Sequence, residues 1–200
     1  MHKHYLRIFL FIQSVLPKIW VGLFLFALQS NLLAQDGPGG IGKTDGTSNL
    51  TLWLDANSLS LSDGAKVTNW LDLSGYTNDA SAPLFPLESP VFRTNVLNGQ
   101  PALSFGEAPD SSLLSIADNG SLNSITLSVF IVGSFELASD NSAPYLTKST
   151  NWNWDDGYGI VRNGSNSEFG FFADGFANAT TPPAPIAPGG FNIYSGMNFF

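Results

Sequence analysis

Asp63-Gly64, Asn98-Gly99 and Asn119-Gly120 divide the chain into short apolar or alternating runs. An Asx-Gly step supplies the positive φ that a tight turn between antiparallel strands requires, and few other residue pairs do so without strain. The runs between them have strand length and strand composition. They are Leu-Thr-Leu-Trp-Leu (50–54), Lys-Val-Thr-Asn-Trp-Leu (66–71), Pro-Ala-Leu-Ser-Phe (101–105) and Ser-Leu-Leu-Ser-Ile (112–116). The longest run, 125–137, has apolar side chains on both faces and predicts a central strand buried on both sides. Runs 158–163 and 167–174 flank Gly164 as the two arms of a hairpin, and 191–200 begins another strand. After residue 34 no segment keeps a helical apolar period over three turns. One short helical turn is expected near 55–60, capped by Asp55. The expected fold is all-β, an antiparallel sandwich of two sheets.

The first 34 residues follow different rules. Lys3 and Arg7 open a stretch whose apolar runs, 8–16 and 19–28, lead into a polar segment after Ala34. A basic start, an apolar middle and a small residue before a polar stretch define a secretory signal peptide, here 1–34. An uncleaved membrane anchor is the alternative, and Pro17-Lys18 in mid-run argues against it. No stable membrane span is expected once the leader is cut, and the product is placed outside the cell or on its outer surface. Residues 35–48, rich in glycine, read as a flexible lead-in. Gly37 and Gly42-Lys43-Thr44 match a phosphate-loop pattern by letter only, because no strand precedes them and no helix follows. Residues 49–200 form the sandwich. The strand begun at 191 stops at Phe199-Phe200, so the domain is expected to be incomplete at its C-terminal end. The Pro-rich stretch 180–190 reads as a loop within it, with an interdomain linker as the alternative.

Loss of the leader removes three basic residues (Lys3, Arg7, Lys18) and no acidic ones. Five basic residues then face sixteen acidic ones, a net charge of −11. Such a surface repels nucleic acid, which needs a basic face to displace its counterions. Residues 35–200 also contain no histidine and no cysteine. That excludes a Ser-His-Asp triad, a Cys-His nucleophile and zinc bound by His or Cys. Carboxylate chemistry and oxygen-bound cations are the main classes left. Of these, glycosidic cleavage needs two carboxyl groups at a set separation. Glu88, Glu107, Glu136 and Glu168 are isolated from one another, and Asp155-Asp156 would point to opposite faces of a strand. No enzymatic activity is expected.

The ordered set Leu52-Trp53-Leu54-Asp55, Asp63-Gly64, Trp70-Leu71-Asp72-Leu73-Ser74-Gly75, Asn78-Asp79-Ala80, Asn98-Gly99-Gln100-Pro101 and Phe105 resembles the laminin-G-like, concanavalin A-like jelly rolls of exported bacterial surface proteins. Those domains often carry a lead-in like Pro38-Gly39-Gly40. The resemblance covers 50–135 well and 143–200 loosely. It implies a jelly-roll topology for the sandwich and a non-catalytic binding or adhesion module, with a glycan or cell-surface polymer as partner. An accessory domain of a polysaccharide-degrading enzyme and a structural spacer in a large surface protein stay open as alternatives. The chain departs from the family at Phe105-Gly106-Glu107-Ala108-Pro109-Asp110, where Phe-Asp-Gly and an acidic pair are common.

Two stretches carry candidate chemistry. In Asn-Trp-Asn-Trp-Asp-Asp-Gly-Tyr-Gly (151–159), Trp152, Trp154 and Tyr158 offer flat rings for a sugar face. Asp155 and Asp156 offer acceptors for its hydroxyls. The competing reading packs the tryptophans on the sandwich rim and uses the acidic pair in a turn. In 72–79, Asp72 and Asp79 are candidate ligands for calcium, which takes hard oxygen donors from loops. The competing reading has Asp72 and Ser74 bond their own backbone to shape a turn.

Overall fold

The structure, a computed structural model, describes residues 36–83, 89–106, 112–124, 126–134, 142–151, 156–163, 168–174 and 190–198. Among these the chain is built of strands and short 3₁₀ turns. The strands are β1 (Asn69–Trp70), β2 (Ala80–Ser81), β3 (Val91–Leu97), β4 (Gln100–Ser104), β5 (Ser115–Ile116), β6 (Leu127–Gly133), β7 (Ser142–Lys148), β8 (Tyr158–Asn163), β9 (Glu168–Ala173) and β10 (Asn192–Asn198). They form four small antiparallel sheets, ordered β1-β2-β5, β3-β4, β10-β6 and β7-β8-β9. No helix among the described residues is long and apolar enough to cross a membrane.

At Asp63-Gly64 and Asn98-Gly99 the turn chemistry acts as its residues predict; at Asn119-Gly120 it does not, because Asn119 is extended (φ −141) and caps the 3₁₀ turn Gly120–Leu122. Asn98 (φ 51) and Gly99 (φ 80) both take positive φ between β3 and β4, the two-residue geometry that matches the twist of paired strands. Gly64 (φ 83) turns the chain so that its N–H donates to the Phe92 carbonyl, 2.9 Å away. Beside it, Asp63 accepts from the Thr94 N–H at 2.9 Å and pairs with Arg93 at 3.5 Å, fixing that turn to β3. The short turn after Asp55 is the 3₁₀ turn Ala56–Ser58, capped by the Asp55 side chain, which accepts from the Asn57 N–H.

Two expected strands are different in kind. Residues 50–54 join no ladder, because side chains do the work of a partner strand. The Trp53 N–H donates to Asp72 Oδ1 (2.9 Å), the Leu73 N–H donates to the Trp53 carbonyl (2.9 Å), and the Asn78 amide donates to the Thr51 carbonyl (2.7 Å). The second is the long run 125–137, expected to be central and covered on both sides. Within it β6 pairs with β10, and its exposure alternates. Phe130 and Val132 remain 63% and 61% exposed, with Ile193 and Met197 of β10 also exposed on that face. Apolar side chains on both faces therefore did not mean two covered faces. The strand with that property is β8, where Tyr158, Gly159, Ile160 and Val161 are all buried in succession. β8 lies between β7 and β9, so both edges are paired, and its side chains alternate between two faces that are both buried.

The core follows from these pairings. Val67, Ala80 and Phe92 are buried in the first half. In the second, Phe172 joins the β8 side chains, and the opposite face of β6–β10 meets β7–β9. There the Tyr145 and Tyr194 rings lie 5.4 Å apart, and Gly196 sits against the Phe171 ring. Gly196 lacks a side chain at the point where that ring approaches the β10 backbone, a close contact a Cβ would prevent.

Candidate functional site

Asp72 is the best-connected side chain of the first half. Its Oδ1 accepts from the Trp53 N–H (2.9 Å) and the Ser74 N–H (2.9 Å). Its Oδ2 accepts from the Ser74 hydroxyl (2.6 Å) and the Asn78 N–H (3.0 Å). Four donors occupy the two oxygens, which is about the capacity of a carboxylate. Asp79 extends the set, its Oδ1 accepting from the Asp72 N–H at 2.8 Å. Thus Asp72 and Asp79, the pair considered for calcium, are brought together, and each holds backbone. Among the described residues no group of three or more His, Cys, Asp or Glu side chains gathers to hold a metal ion.

Neighbouring residues complete this hub. Ser74 and Asn78 are buried, and the Asn78 amide donates to Thr51 O and to Ser121 Oγ, 2.9 Å away. Thr77 takes φ 58, a costly conformation for a β-branched residue, in the turn that aims Asn78 back at Asp72. Trp70 is half-buried, and its indole N–H donates to the Asp55 carbonyl at 3.0 Å. That bond uses the polar handle of the ring for structure.

The Gly-rich stretch is part of the same assembly. Asp36 accepts from the Thr44 hydroxyl (2.7 Å), Gly46 N–H donates to Ser74 O (3.1 Å), and Tyr76 OH donates to Ser48 O (2.8 Å). Residues 36–48 thus fold over the 74–76 turn, where a flexible lead-in was expected. Glycine richness here serves tight turns, with Gly39, Gly42 and Gly46 all at positive φ.

The tryptophan-bearing stretch lies between β7 and β8. Trp152, Trp154 and Asp155 lie outside the described residues. The two flanks are described, and Asp156 joins them. Its Oδ1 accepts from Ser149 Oγ (2.6 Å) and the Thr150 N–H (2.9 Å), and its Oδ2 from Thr150 Oγ1 (2.6 Å). These bonds, led by that from Ser149, hold the Asp156 pKa down at about 2. Gly157 (φ 72) follows, and a Cβ there would strike the Lys148 carbonyl. Tyr158 is placed differently from a sugar-stacking ring. It is buried, its hydroxyl donates to Leu122 O at 3.1 Å, and burial raises its pKa. Ser149 and Thr150 were not singled out from sequence. An acceptor six or seven residues away along a loop leaves no local pattern.

Tyr158→Phe tests this placement. It leaves the Leu122 carbonyl without its donor and should cost about 1 kcal/mol in chemical unfolding at neutral pH. A phenol kept neutral by burial supports folding below its unfolded pKa, and that support is lost as pH rises through the raised folded value. The variant should therefore unfold less steeply than the parent on the alkaline side. Equal alkaline profiles would place the ring in water.

The fold and these sites define an all-β protein of small antiparallel sheets in which carboxylates organise loops. Comparison with protein-family models, with curated proteins and with solved structures returns no significant match.

Proposed function

We propose that this chain is a non-catalytic binding or adhesion module of an exported protein, built as a concanavalin A-like jelly roll. Its ligand is a glycan or cell-surface polymer, engaged by the tryptophan-bearing segment between β7 and β8. The observation that supports this reading is the Asp156 clasp. A carboxylate with three donors ties both ends of a short segment holding two tryptophans and a further carboxylate. Fixing the ends lowers the entropy lost when rings are ordered against a sugar face, and amide and carboxylate groups beside them suit its hydroxyls. An accessory role beside a polysaccharide-degrading domain would use the same surface.

A glycan array, run with and without calcium, tests the proposal. Binding abolished by Trp152→Ala with Trp154→Ala supports it, and no binding in either condition by the folded protein defeats it. The clasp adds a second prediction. Asp156→Ala should weaken glycan binding roughly tenfold while the protein stays folded, since it releases the ends of the segment without touching the rings. The pH dependence has a defined sign. The folded pKa of Asp156 is depressed, so the clasp is intact above the ordinary carboxylate range and is lost as pH falls through about 2. Affinity measured by calorimetry should therefore show no titration from Asp156 between mildly acidic and neutral pH.

A further inference from the structure

Asn-Gly steps are chemically labile as well as turn-forming, and the structure separates the two, of the three in this chain, whose residues are both described; Gly164 of Asn163-Gly164 lies outside the described residues. At Asn119-Gly120 the Asn119 Oδ1 accepts from the Ser121 N–H at 3.0 Å, capping the 3₁₀ turn Gly120–Leu122. The Leu122 carbonyl that ends that turn accepts from buried Tyr158. The carboxamide is thus held, and the backbone after it is anchored to the core.

Asn98-Gly99 is the opposite case. Both residues are exposed, and the β3–β4 ladder is broken beneath them. Val91, Phe92 and Arg93 pair with Ser104, Leu103 and Ala102. The register then shifts, and only Leu97↔Gln100 pairs above the irregularity. Asn95 lies within that interval at φ 54. Pro101, next to the last pair, has no N–H to donate. Opening the tip therefore breaks one pair and leaves the buried Phe92 end of the hairpin intact.

We propose that Asn98-Gly99 is a site of spontaneous deamidation in the folded protein, gated by opening of this hairpin tip. In the closed turn the positive φ at both residues belongs to the paired geometry, and the chain must leave it for the ring to close. Once it does, the deprotonated Gly99 amide nitrogen attacks Asn98 Cγ. The N–Cγ bond forms, the Cγ–Nδ2 bond breaks, and ammonia leaves, giving a succinimide. Water then adds to one of the two ring carbonyls. Opening at Cγ returns aspartate. Opening at the backbone carbonyl gives isoaspartate, in which the chain runs through Cβ. No oxidant or reductant is involved. Either product adds one negative charge. The isoaspartyl form lengthens the loop by one backbone atom, which the two-residue turn cannot accommodate, so it prevents the Leu97↔Gln100 pair from reforming.

Peptide mapping by mass spectrometry tests this on the whole protein incubated at mildly alkaline pH, native and in denaturant. In denaturant Asn98 and Asn119 should convert at similar rates. In the native protein Asn98 should slow by roughly tenfold or less and Asn119 by more than a hundredfold, because local opening is cheap at one and close to global unfolding at the other. Native Asn98 protected as strongly as Asn119 would overturn the proposal, as would conversion of Asn119 first. Asn98→Asp, which carries the charge without the backbone change, should keep the parent's hydrogen-exchange protection at Leu97 and Gln100. Loss of protection in that variant equal to the loss in the aged protein would overturn the role given to isoaspartate.

Discussion

Asp72→Ala is expected to be the most destabilising single carboxylate removal in this chain, at about 3 kcal/mol in denaturant unfolding with the slope unchanged. The magnitude follows from what is left behind. The backbone N–H groups of Trp53, Ser74 and Asn78 lose their acceptor together, as does the Ser74 hydroxyl. Ser74 and Asn78 are buried, so water reaches them poorly, whereas Trp53 and Asp72 itself are half-buried and recover part of the loss. Asp72→Asn discriminates between charge and geometry. Its single carbonyl can serve the Trp53 and Ser74 N–H groups, but its amide then faces the Asn78 N–H, donor to donor. It should lose about half as much as the alanine variant. A loss under about 1 kcal/mol for Asp72→Ala would mean that water replaces the carboxylate and that the loop does not depend on it.

This hub shows how far the residues alone could be read. Turns and hairpins were legible because their causes are local. An Asx-Gly step favours a tight turn, and Asn98-Gly99 and the β8–β9 hairpin are found where the letters put them, although Asn119-Gly120 caps a 3₁₀ turn without positive φ. Strand identity was less legible at 50–54. An alternating apolar run tells which faces are wet, while the source of its backbone partners is a tertiary fact. Here that source is Asp72 and Asn78, some twenty residues on or more. The number of covered faces was not legible for the same reason. The residues of 125–137 are as apolar as those of β8, yet Phe130 and Val132 of β6 are exposed where β8 is buried on both faces, and what packs over a face is again a tertiary fact. At the candidate site, the acidic residue of the tryptophan stretch that acts as a clasp is Asp156, and its partners could not have been picked out by spacing. The competing reading of 72–79 as turn chemistry describes the bonds that Asp72 and Ser74 make.

The other large effect is expected at Gly75, where the Gly-rich stretch meets the hub. Gly75 has φ 85, a conformation in which an L side chain is strained. A Cβ there would also lie under 3.0 Å from the Gly46 nitrogen, the Thr44 carbonyl oxygen and the Asp45 carbonyl carbon. All three are backbone atoms, so no side chain can rotate away, and residues 44–46 must lift from the turn. Lifting them breaks the bond from Gly46 N–H to Ser74 O and draws Ser48 from Tyr76. Gly75→Ala should cost about 2–3 kcal/mol, of which roughly 1 is the backbone conformation itself. Gly99→Ala isolates that smaller part, since Gly99 has a similar φ of 80 and open space around it. It should cost about 1 kcal/mol. The steric part can then be assigned by a double-mutant cycle with Tyr76→Phe, which removes the second tie between the same segments. If the segments separate in Gly75→Ala, the Tyr76 substitution costs nothing further in that background, although it costs about 1 kcal/mol in the parent. Strict additivity of the two would show that residues 36–48 stay docked and that the strain is absorbed within the turn. Hydrogen exchange at the Gly46 amide reads the same event directly: protected in the parent and in Gly99→Ala, and exchanging at the rate of an open chain in Gly75→Ala.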